Sequence, residues 1–138
     1  MATHKRLNSV CHSIAHHAVS SLSYLHPHIR QACRLSNLNV VTVHLLAENP
    51  YPHNLQHLQP LSMALASLKV KFNEILSSEG FSMTELDSAT LRFEFEPKFT
   101  DDFSSNCFAQ IVSKSGKTYE HFVDCLGHSI KPETSIKL

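Results

Sequence analysis

T-L-R-F-E-F-E, residues 90–96, is the stretch whose reading decides the fold. In an extended chain Leu91, Phe93 and Phe95 fall on one face and Thr90, Arg92, Glu94 and Glu96 on the other. Alternation of period 2 over such a run predicts a strand with one buried and one wet face. After a polar connection comes C-F-A-Q-I-V-S-K-S-G-K-T-Y-E-H-F-V-D-C, residues 107–125, two β-rich runs around Lys114-Ser115-Gly116. They read as a β-hairpin.

The hairpin admits two registers. A two-residue Ser115-Gly116 turn sets Val112 opposite Tyr119, Gln110 opposite His121 and Phe108 opposite Val123. A three-residue loop with Gly116 left-handed, followed by a bulge, sets Ile111 opposite Tyr119, Ala109 opposite His121 and Cys107 opposite Val123. One residue of slip turns a whole strand over, so the apolar pattern arbitrates. The second register gathers Cys107, Ala109, Ile111, Tyr119, Val123 and Cys125 on one face, interrupted only by His121. It also gives glycine the positive φ that it adopts without steric cost. The second register is therefore the expected one.

Working back toward the N-terminus, residues 60–78 carry Leu61, Leu65, Leu68, Phe72 and Ile75 at spacings of four and three, a helix opened by Pro60 and stopped by Gly80. Its apolar seam is expected on the sheet face bearing Leu91, Phe93 and Phe95. Residues 38–46, L-N-V-V-T-V-H-L-L, are dense in β-branched side chains and read as a strand. Apolar residues on both of its faces suggest a central or doubly covered position. Between these elements, Pro50, Pro52 and Pro60 mark a loop. Asn8 or Ser9 is the expected cap of a first helix with Val10, Ile14, Ala18 and Leu22 facing inward and Cys11, Ala15 and Val19 widening the stripe. Pro27 ends it and opens a second, shorter helix to about Leu35.

The predicted fold is α+β: two N-terminal helices, one strand, a long amphipathic helix and a three-strand antiparallel meander, with the helices on one face of the sheet. At 138 residues the chain reads as a single domain, residues 1–138, with 1–7 and 129–138 as loosely packed ends. The 42% hydrophobic and 17% charged content is that of a globular chain. Three glycines exclude a Gly-rich phosphate loop, and no apolar run reaches the ~20 residues of a membrane span. No membrane partner is expected.

Lys+Arg and Asp+Glu balance at 12 each, yet the first acid is Glu48. Lys5, Arg6, Arg30 and Arg34 precede it, together with seven histidines. Complementary packing within the chain or across a homodimer accounts for the split. Four positive charges over that length are few for a nucleic-acid binder, so nucleic-acid association through the basic N-terminal helices is a secondary reading. Cys11, Cys33, Cys107 and Cys125 form no C-x-x-C pair and read as buried thiols in a cytoplasmic protein.

Eleven histidines are the compositional anomaly. His12 and His16, four apart on a helix, share a face at a spacing that suits two metal ligands. No H-E-x-x-H accompanies them and the sequence names no third ligand, so no metal or other cofactor is expected. They stand as metal candidates only, and surface histidines are the simpler reading. His121, breaking an apolar strand face beside Tyr119, marks a polar point in an apolar pocket. His121, Tyr119 and Phe93 are the expected ligand-binding residues. The alternative is a small enzyme with a pocket of His121, Tyr119 and Cys107 on the terminal hairpin. There Cys107 and His121 form a nucleophile pair, but no oxyanion donor or orienting third group accompanies it. With no catalytic set, the expected function is a small soluble binding module, acting as a homodimer on a small molecule or a protein partner.

Overall fold

A computed structural model describes residues 7–22, 40–50, 59–95, 105–124 and 129–130. Their elements are helix α1 (Leu7–Leu22), strand β1 (Val40–His44), helix α2 (Gln59–Ser78), a 3-10 turn (Met83–Glu85), and strands β2 (Leu86–Phe95), β3 (Ser105–Ser113), β4 (Thr118–Val123) and β5 (Ser129–Ile130). The strands form one sheet in the order β1-β2-β3-β4-β5, with every neighbouring pair antiparallel. The second predicted helix, residues 27–35, lies outside the described residues.

The alternation that predicted β2 holds: Ala89, Leu91 and Phe93 are buried while Arg92 is exposed. The hairpin takes the three-residue loop. Ile111 pairs with Tyr119, Ala109 with His121 and Cys107 with Val123, and Gly116 has φ +94°. Its amide donates to the Ser113 carbonyl at 2.9 Å, and the Ser113 amide donates to the Lys117 carbonyl at 2.9 Å.

Four sequence expectations need correction. β1 is an edge strand, not a central one, because it pairs only with β2 among the described strands. Its Val41 and Val43 point into the core, whereas Val40 remains 45% exposed, so apolar content on two faces did not signify two covers. The meander is longer than three strands, since β5 follows β4. Ser129 and Ile130, assigned to a loose end, pair with Val123 and Phe122. Helix α1 opens at Leu7, itself buried, so Asn8 and Ser9 lie inside the first turn instead of capping it.

Both described helices contribute to one core against the sheet face of Val41, Val43, Ala89, Leu91, Phe93, Cys107, Ala109, Ile111 and Val123. From α1 come Leu7, Val10, Cys11, Ile14, Ala15, Ala18 and Val19, and from α2 Leu65, Leu68, Phe72 and Leu76. These are apolar stripes at spacings of three and four, whose burial drives helix docking. The α2 seam is thereby occupied within the chain. Helix α1 packs on β3, β4 and α2. The opposite sheet face is polar and aromatic: Phe108 and Phe122 pack at 4.4 Å, the Arg92 guanidinium lies 5.7 Å from the Phe108 ring, and Gln110 donates to Glu120 at 3.0 Å.

Candidate metal centre of three histidines

Helix α1 packs on the hairpin through its apolar stripe, and a thiol of that stripe meets two hairpin carbonyls. Cys11 is buried, and its Sγ donates to the carbonyls of Ala109 at 3.4 Å and Tyr119 at 3.6 Å. That contact accompanies the burial of the α1 stripe against the sheet. Residue 12 is its chain neighbour, and residue 16 lies one helical turn beyond residue 12. Across from them, Ala109 pairs with His121. Docking of the apolar stripe thus carries the His12–His16 pair over the one polar side chain on the inner face of β4.

The three rings form a cluster. Ring centroids of His12 and His16 are 4.3 Å apart, those of His12 and His121 4.3 Å, and those of His16 and His121 5.8 Å. One nitrogen from each ring lies within 4.8 Å of the other two. His12 is exposed, while His16 and His121 are half-buried, so the cluster opens to solvent at one side.

Burial and the neighbouring imidazoles disfavour the charged form of two of these rings. Partial burial, then the neighbouring His12, lowers the pKa of His16; burial, then His12 and His16, lowers that of His121. A cluster of cations is unfavourable at such spacing, and a neutral imidazole offers the lone pair that a metal requires. His17, on the α2 side, is also lowered, by burial and then by Lys71, with Glu74 acting in the opposite sense.

A tetrahedral ion with bonds near 2.0–2.1 Å holds its nitrogen ligands ~3.3 Å apart. The candidate nitrogens, within 4.8 Å of one another, would close by up to about 1.5 Å to meet that spacing. The arrangement can therefore present three imidazoles to one ion and leave a fourth position toward solvent. Among the described residues this is the one group of three or more His, Cys, Asp or Glu that meets the spacing for a metal.

The sequence-predicted residues separate. His121 joins the metal candidates His12 and His16. Tyr119, two residues away on the same face, instead lines a groove at the hairpin end with Leu7 and Phe81. Phe93 is 1% exposed and belongs to the core. Cys107 is also fully buried, and burial, then Cys11, pushes its thiol far up, so it lacks the thiolate character of a nucleophile. Burial, then Glu120, pushes the Cys11 thiol to about 12. Cys33 and Cys125 lie outside the described residues. No described helix is long and apolar enough to cross a membrane.

Comparison of the chain with protein-family models, with curated proteins and with solved structures gives no match.

Proposed function

We propose that the chain is a small binding module whose ligand is a divalent transition-metal ion of the zinc class, held by His12, His16 and His121. The observation that carries this reading is the convergence of three imidazoles from two elements, with candidate ligand atoms within 4.8 Å of one another. Imidazole suits zinc, copper, nickel and iron, whereas the absence of a carboxylate from the set disfavours calcium and magnesium. Three protein ligands leave a coordination position for water or for a donor atom brought by a partner molecule. The lowered pKa values of His16 and His121 keep both rings ready to bind near neutral pH.

Cobalt(II) substitution tests the reading. The proposal predicts visible ligand-field bands of a four- or five-coordinate nitrogen site, saturating at one ion per chain and displaced by zinc. The bands vanish in His16→Ala. A spectrum of octahedral aquo-cobalt only, or saturation unchanged by His16→Ala, contradicts it.

A further inference from the structure

The groove at the hairpin end stands apart from the histidine cluster and has its own chemistry. It is an open groove of about 580 Å³ between the start of α1, the 3-10 turn and the β3–β4 loop. That volume is within the ~300–1,000 Å³ of small-molecule sites. Its apolar wall is built from Leu7, Phe81 and Tyr119. Leu7 is buried, while Phe81 and Tyr119 keep part of their surface in the open.

The rim is basic. Lys114 and Lys117 line it and are exposed, and neither forms an ion pair among the described residues. The single acid of the lining, Glu85, accepts from the Ser82 amide at 3.0 Å and so lies tied to its own turn. Two lysines against one glutamate leave the lining with a net positive side-chain charge. Ser115 adds a hydroxyl at the same rim, 2.8 Å from that of Ser113. A lining that joins two aromatic rings to two exposed lysines complements a ligand with a flat apolar body and an anionic end.

We infer that this groove is a second ligand site, taking a small aromatic anion whose ring packs on Tyr119 and Phe81 and whose carboxylate or phosphate meets Lys114 and Lys117. Aromatic packing supplies the body contact and the two ammonium groups supply the polarity that orients it. The site shares no lining residue with the histidine cluster, so each stands or falls without the other.

The test is amide-resolved NMR of the full chain, with chelator present, titrated with phenyl phosphate and separately with inorganic phosphate. Saturable shifts at Phe81, Ser115 and Tyr119 are expected with phenyl phosphate, and at least severalfold weaker binding with inorganic phosphate. Lys114→Ala/Lys117→Ala weakens phenyl phosphate by roughly two- to thirtyfold, the range of two exposed ion pairs. Ser115→Glu, an exposed change that adds a negative charge at the rim, weakens it independently should the double variant lose its fold. Equal binding of the two phosphates, shifts centred on His12, His16 and His121, or affinities unmoved by these variants would overturn the assignment.

Discussion

The imidazoles of His12 on α1 and His121 on β4 stand edge to face, with ring centroids 4.3 Å apart and planes at 71°. Neither element alone produces that relationship. It follows from the docking of the α1 stripe, with Cys11 against the Ala109 and Tyr119 carbonyls, and from the register that opposes Ala109 to His121. His16, one turn further along the same helix, completes the cluster.

Stability falls in acid. The folded-state pKa values of His16, His17 and His121 lie below the ordinary value of about 6.5, chiefly through burial. The unfolded chain therefore binds more protons, and stability rises with pH across that region. The stability is complete above about pH 6.5 and is lost as pH falls through the lowered folded values. Urea midpoints of the metal-free protein should drop between about pH 7.5 and pH 5.5, and His121→Gln should flatten part of that slope. A midpoint independent of pH would contradict the assignment of these depressed values.

Phe93 acts in the core. At 1% exposure beside Leu91 and Val41, its truncation leaves a cavity in a packed interior. Phe93→Ala should cost about 3–5 kcal/mol in denaturant unfolding, while Phe93→Leu, a smaller loss, should leave the cobalt spectrum unchanged. A large spectral change in folded Phe93→Leu would return this residue to the ligand site.

The two described cysteines, Cys11 and Cys107, are both buried, and slow native labelling is expected of each. Burial pushes the Cys11 thiol to about 12 and the Cys107 thiol higher than its ordinary value. Reactivity follows thiolate content and access. Iodoacetamide followed by peptide mass spectrometry should find both unmodified near neutral pH and both labelled in denaturant. Rapid native labelling of Cys107 would revive the cysteine–histidine enzyme.

The hairpin was legible in the sequence because one face of it is buried. Slipping β4 by one residue would have exchanged Tyr119 and Val123 for Glu120 and Phe122 on the inner side. The α1 and α2 stripes were legible for the same reason. The edge position of β1 was not, since local composition does not specify which strand a sheet ends on. The histidine cluster was half visible. The i, i+4 pair and the polar interruption at His121 were each apparent, but joining them requires knowing that α1 covers β3 and β4. One signal pointed that way: a helix flank bearing two imidazoles suits the single inner-face strand position that is itself an imidazole.

Zinc titration by calorimetry, at about pH 7.5 where unperturbed imidazoles are neutral, tests the three-histidine site most directly when the wild-type chain is compared with His121→Ala. One zinc per chain is predicted, with a loss in His121→Ala larger than the roughly 10- to 100-fold that follows removal of an outer-shell partner. Retention of wild-type affinity by a folded His121→Ala protein would mean that helix histidines alone capture the ion, and the convergent site would be wrong.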